Sequence, residues 1–404
     1  MIASRRVCRL FVSTIAFMTL GITYSASATA SDWLRFRGPN GSGICPDAAP
    51  LPTEFGPDKN LAWQIELPGP GSSCPIVVGE RVFVTCWSGY GLSRDNPGDQ
   101  ANLKRHLVCV NRRTGEVIWN KSIDPFLPED NYGGMFAEHG YASHTPVSDG
   151  ERIYCYFGKT GVVAFDMNGE QLWTKSCGTE SDPRDWGTAS SPILHNNVLI
   201  VTAAAESEAM IGFDKTTGEE LWRQEASGFS GTWGTPVLMK VDDQRTDLVI
   251  GVPYEIWSFN PDTGKLRWHA KGIDSNSFCA SHVPGDGVVY GIDGREGGAV
   301  AVKVGGEGDV SDSAVVWRSQ QSNRIITPVK VDDRIYYFGR GIAYCVDAAN
   351  GNKTYQARMN GSGAVAPAGG PGGGGFGGGG GRGGAFRSGD YASPVVADGK
   401  IYFP

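Results

Sequence analysis

The run GFDKTTGEELW at residues 212–222 decides the fold. It reads as the end of one β-strand, a tight turn and the start of the next strand. Asp214 is placed to accept hydrogen bonds from turn amides, as in Asx-turns. Gly218 supplies the positive φ that the turn needs and that a residue with a Cβ adopts only at a cost. Leu221 and Trp222 open the return strand, and the Trp222 indole is a large apolar plate that requires burial.

The run recurs. CVNRRTGEVIW spans 109–119, AFDMNGEQLW 164–173, SFNPDTGKLRW 258–268 and CVDAANGNKTY 345–355, the last with Tyr355 in the tryptophan position. A degenerate copy ends at Trp317, and LAW at 61–63 reads as an isolated return strand. The ring residues Trp63, Trp119, Trp173, Trp222, Trp268, Trp317 and Tyr355 fall about every 49 residues, near the period of a four-strand propeller blade.

Between these runs lies a second repeated signal. A small or hydroxyl residue, a proline and a β-branched run open each unit, as in TPV at 145–147, SPI at 191–193, TPV at 235–237, TPV at 327–329 and SPV at 393–395. Proline is tolerated at a strand start because no ladder donor is needed there. Short Asp/Asn/Gly turns follow, such as Asp149–Gly150 and Asp398–Gly399, then a second strand. In this repeat Asp332–Asp333 and Asp242–Asp243 are turn residues rather than acid–base pairs. The expected fold is therefore all-β: a β-propeller of four-stranded antiparallel blades, about seven to eight in number. The sequence ends at YFP, 402–404, inside the second strand of a seventh unit, so the ring is expected to be incomplete at the C-terminus.

The first thirty residues are expected to be a signal peptide. Arg5, Arg6 and Arg9 form a basic end, LFVSTIAFMTLGI at 10–22 is too short to span a bilayer, and Ala28–Thr29–Ala30 fits a small-residue cleavage site. Residues 31–60 form a Pro/Gly-rich lead-in, and 61–404 the propeller. Within it, 361–384 is a glycine-rich insertion expected to be disordered. The location that follows is exported, periplasmic or extracellular, with no transmembrane segment after signal removal. The net charge of −7 argues against nucleic acid as a partner. Cys109, Cys155 and Cys345 lie within strand-like runs and read as small buried hydrophobes. No CxxC or CxxCH occurs, which leaves zinc, c-type haem and dithiol redox readings without support, and no metal site is expected.

The small-x-Asp/Asn-x-x-Thr/Asn-Gly-x-x-x-Trp run resembles the tryptophan-docking repeat of pyrroloquinoline-quinone (PQQ) propellers. The resemblance covers roughly residue 61 to the C-terminus, and WLRFRGP at 33–39 is similar to the lead-in of secreted PQQ-like proteins. The family contains quinoprotein alcohol dehydrogenases, which hold PQQ and Ca²⁺ on the axis, and non-catalytic members such as BamB, a subunit of the outer-membrane β-barrel assembly machinery. The resemblance implies that Trp119, Trp173, Trp222, Trp268 and Trp317 are structural blade-docking residues. The dehydrogenases also carry a vicinal disulfide and a Glu/Asn/Asp set for Ca²⁺; this sequence has no adjacent cysteines and no such set that can be placed.

A site is expected on loops of one axial face, since ligands favour loops on a rigid scaffold. The candidate ligand face is Glu138, His139, His144, Trp186, Trp233, His282 and Arg324, and the expected partner is a protein or a small ligand. Two functions follow: an exported non-catalytic binding or assembly scaffold, or a quinoprotein-type dehydrogenase using PQQ and calcium.

Overall fold

A computed structural model of the chain describes residues 32–46, 50–293, 298–323, 325–339, 341–359 and 391–403. The chain divides into Met1–Ala30 and Ser31–Pro404, and the fold described here is that of the second unit. The expected signal peptide at 1–30, the glycine-rich insertion at 361–384 and Arg324 lie outside the described residues.

Six sheets repeat the expected unit. The first comprises Ile76–Val78, Arg81–Ser88, Lys104–Asn111 and Val117–Ile123, paired in that order. The others open at Val147, Ile193, Val237, Val283 and Val329. All four strands within each unit are antiparallel neighbours. A seventh sheet has three described strands, Ile44–Cys45, Val395–Ala397 and Lys400–Tyr402, the first of them paired in parallel. The fold is thus the all-β propeller of four-stranded antiparallel blades that the repeat predicts.

The repeated run works through a β-bulge. In each unit the register between third and fourth strands shifts just after the pair that contains the ring: Cys109↔Trp119, Ala164↔Trp173, Gly212↔Trp222, Ser258↔Trp268, Ala301↔Trp317 and Cys345↔Tyr355. A bulge re-aims the side chain beside it. The residue opposite the ring is always small, which leaves room for the indole to lie across the strand. The ring then meets the turn glycine of the next unit: Trp63 meets Gly115, Trp119 meets Gly169, Trp173 meets Gly218, Trp222 meets Gly264 and Trp317 meets Gly351. Several indoles also donate to a carbonyl of that next turn, as in Trp119 Nε1 to Met167 O at 3.2 Å and Trp317 Nε1 to Ala348 O at 2.8 Å. The cores accordingly lie between adjacent sheets. Phe83 and Leu107 of the first pack with Ile153 and Phe165 of the second, and Tyr154 of the second with Leu199 and Phe213 of the third.

Two details differ from the expected pattern. Leu61–Trp63 is not a strand, yet Trp63 docks like its counterparts, its Nε1 donating to Arg112 O at 2.9 Å. In the fifth unit the tight turn is replaced by an excursion whose Gly308–Asp309 pairs in parallel with Trp268–His269, adding a fifth strand to the fourth sheet. That excursion covers Trp268 completely. The Trp268 indole donates instead to the buried carboxylate of Asp247 at 2.8 Å.

Candidate functional site

The small residues that open each unit form a continuous chain of hydrogen bonds. Cys74 N donates to Thr145 Oγ1, Thr145 N to Ser191 Oγ, Ser191 N to Thr235 Oγ1, Thr235 N to Ser281 Oγ, Ser281 N to Thr327 Oγ1 and Thr327 N to Ser393 Oγ, all at 2.9–3.0 Å. Each hydroxyl thus satisfies the amide of the preceding unit. Sequence reading found these residues as strand openers; their second role needed the neighbouring unit to become visible.

The lead-in crosses this inner face. Trp33 bridges to Val77 of the first unit, and Leu34 O accepts from Ser148 N of the second at 2.9 Å. Arg35 Nη2 donates to Pro236 O at 3.1 Å, and Asn40 clasps the backbone of Leu238. Arg37 donates to Pro328 O at 2.6 Å and Pro394 O at 3.0 Å. Ile44–Cys45 then joins the seventh sheet. One short segment therefore ties together strands far apart in sequence.

Above it lies a cavity of about 970 Å³. It is lined by Trp33, Phe36 and Arg37 of the lead-in, by the hydroxyl chain, and by Glu138, His139, Trp186 and Trp233 of the loops. These last four are members of the candidate ligand face. Trp186 lies 5.1 Å from Trp233 between ring centroids, and Trp233 Nε1 donates to Gly187 O at 2.8 Å. Arg184 sits 6.0 Å over the Trp233 ring and pairs loosely with Asp182 at 3.9 Å. His139 is held at both nitrogens, by Ser143 Oγ at 2.5 Å and Trp186 O at 2.7 Å. Glu138 is engaged by Arg94 at 2.5 Å.

His144 and His282 are placed elsewhere. Each neighbours a hydroxyl-chain residue, Thr145 or Ser281, and alternation along an extended chain turns adjacent side chains to opposite sides. His144 lies between units against the Tyr156 ring, 4.5 Å away, and His282 stacks on Phe278 at 5.0 Å. Burial pushes the His144 imidazole down to about 3 and that of His282 to about 4, so both are neutral at physiological pH. Behind the cavity wall Glu206 is buried, and burial pushes its carboxyl up to about 7. Two nearby ion pairs hold the loop after the first unit: Arg105 of the first unit meets Glu129 at 2.9 Å, and Lys159 of the second meets Asp130 at 2.7 Å.

Ca²⁺ takes six to eight oxygen ligands. Among the described residues no group of three or more His, Cys, Asp or Glu converges, and Asp293 at the cavity accepts the amides of Cys279 and Ala280 at 2.6 and 2.7 Å. That donor set does not fit calcium. The cavity's size and aromatic walls do suit a planar organic ligand.

Comparison with known proteins shows the family through its sequence model. The sequence model described as outer membrane protein assembly factor BamB matches residues 103–353. A polyvinylalcohol dehydrogenase of Sphingopyxis sp. (strain 113P3) is 21% identical over 266 residues, which is 55% of this chain and 36% of that protein. The match thus spans about a third of that relative's length. Among solved structures, a europium-containing methanol dehydrogenase superposes with a TM-score of 0.60 at 11% identity, covering 92% of this chain and 81% of that one. BamB from Moraxella catarrhalis superposes with a TM-score of 0.49 at 14% identity, over 80% of this chain and 76% of that one.

Proposed function

For a chain that belongs to the propeller family described as outer membrane protein assembly factor BamB, we propose a non-catalytic binding role, exercised at the axial cavity by an exported protein. One observation carries this reading. The polar side chains around the cavity are already engaged in holding the fold: the hydroxyls accept neighbouring amides, His139 is held at both nitrogens, and Glu138 is paired. What they leave exposed to a ligand is shape and aromatic surface, chiefly Trp186 with Trp233 beneath it. Arg324, which lies outside the described residues, is kept in the proposed face on sequence alone. Export rests on the basic and apolar pattern of residues 1–30, and N-terminal sequencing of protein recovered from the producing cells should begin near Ser31.

The competing reading is a quinoprotein-type dehydrogenase using PQQ and calcium, and it is favoured by the match to the polyvinylalcohol dehydrogenase. One experiment separates the two. The intact protein is incubated with PQQ and Ca²⁺, desalted, and examined for quinone absorbance and dye-linked alcohol oxidation. Binding without turnover is expected of any ligand found in the cavity, and Trp186→Ala should weaken it about tenfold. Dye reduction with alcohol would replace the binding reading with the dehydrogenase one.

A further inference from the structure

The loop after the second unit contains DPRDWG at 182–187. This segment runs across the axial face rather than around it. His139, in the loop after the first unit, donates from Nε2 to Trp186 O at 2.7 Å. Arg184 Nη2 donates at 3.1 Å to Asn276 O, in the loop after the fourth unit. Between those two ties lies Trp233, in the loop after the third unit. Arg184 sits 6.0 Å over its ring, and the Trp186 ring is 5.1 Å from it. One short segment therefore joins loops that are three units apart. Trp186 lines the axial cavity, so the segment lies over that cavity as a strap.

The strap holds a shape that its own backbone resists. Asp185 has a φ of 55° and Gly187 one of 69°, so left-handed residues flank Trp186 on both sides. Aspartate enters that region only at a cost, and such a conformation persists where surrounding contacts impose it. Inside the strap, Asp182 Oδ2 accepts the amides of Arg184 and Trp186 at 3.0 and 3.1 Å. Its ties to the other loops are the His139 bond, the Trp233 Nε1 bond to Gly187 O and the two contacts of Arg184. The Arg184 ties are the releasable ones, since the bond to Asn276 is exposed to solvent and solvent screens such contacts. We infer that residues 182–187 are a gate on the axial cavity, with Trp186 as its lid and Arg184 as its latch. Opening breaks both Arg184 contacts and lets Asp185 leave the left-handed region; closing lays Trp186 against Trp233. Loop motions of this kind control entry to a site. The gate rests on the binding role proposed above for its purpose, but its motion is measured without a ligand.

Cysteines supply the readout. Cys74 and Cys279 line the cavity, whereas Cys109 and Cys155 are buried between the first and second sheets. Alkylation by N-ethylmaleimide, followed at each cysteine by peptide mass spectrometry of the intact protein after digestion, separates cavity access from loosening of the core. Arg184→Ala should speed alkylation of Cys74 and Cys279 about tenfold, through loss of one charged hydrogen bond and one cation–ring contact. Cys109 and Cys155 should keep their wild-type rates. Trp186→Ala removes the lid and leaves the latch, and should speed the same two cysteines. Wild-type rates at Cys74 and Cys279 in either variant, or an equal rise at all four cysteines, would overturn the gate and leave the binding role standing. Failure of the incubation with PQQ and Ca²⁺ to yield any bound ligand would count against the binding role and leave the alkylation result untouched.

Discussion

Gly218 carries a φ of 72°, and a methyl group there would sit 2.7 Å from the Trp173 ring. Both facts oppose a side chain, one through the backbone and one through packing. Gly218→Ala should lower stability by about 1–3 kcal/mol. Gly79 also has a positive φ, 54°, but open space around it. Gly79→Ala should therefore cost about 1 kcal/mol, the backbone share alone, and urea midpoints of the two variants measure the difference. Glu206 offers a test of a different kind. Its folded carboxyl, held up at about 7 by burial, keeps a proton that the unfolded chain releases near 4.5. The associated stability is present below pH 4.5 and is lost as pH rises to 7. Urea unfolding across that window should show the wild type falling relative to Glu206→Gln, by about 3 kcal/mol at most. His144 and His282 slope the other way, since their folded values are depressed, but they are common to both proteins and cancel in the difference. At this scale the docking tryptophans were legible because their spacing repeats. The placement of His144 and His282 was not, because sequence distance from the cavity does not reveal which side of the strand a residue faces.

The unit of four strands was legible in its turns and its rings, and the reason lies in the bulge. A small residue, an Asx turn, a glycine and an aromatic ring combine in one local geometry, so they tend to travel together. Where the Asx turn and its glycine are replaced, as in the fifth unit, the pattern fades although the Ala301–Trp317 bulge remains, and the Gly308–Asp309 strand that takes the turn's place carries no local signal for its pairing with Trp268–His269. The hydroxyl chain was half legible: its members were seen, its bonds were not. Thr235 accepts the Ser191 amide at 3.0 Å. Thr235→Val keeps the shape and removes the acceptor, leaving a buried donor unsatisfied, and should cost about 1–3 kcal/mol. Asp247 is a second junction between elements. Burial alone would raise its carboxyl, but bonds from Arg245, Trp268 and Arg267 outweigh that and hold it below the ordinary carboxylate range. Asp247→Asn leaves two guanidiniums facing a neutral amide. It should destabilise by about 3 kcal/mol or more, with the loss read as a lower denaturation midpoint.

For the whole molecule, the propeller architecture was readable, whereas the course of the lead-in was not. WLRFRGP at 33–39 contains no periodicity that predicts contacts with residues 77, 148, 236, 328 and 394, since those partners exist only after the sheets assemble. Arg37→Met should lower the thermal midpoint and broaden the transition, because the sixth and seventh sheets lose a shared tether. Calorimetry measures both effects, and an unchanged transition would show that the tether is energetically idle. Among the described residues no helix is long and apolar enough to cross a membrane.

The tether also imposes an order on synthesis. Arg37 emerges early from the ribosome, yet one of its acceptors is Pro394, 357 residues later. Strands between them can pair as they appear, but this segment cannot complete its contacts until residue 394 has been made. A segment made early is thus completed late. In pulse-labelled hydrogen exchange during refolding, the Gly43 and Val396 amides should gain protection after those of the six complete sheets.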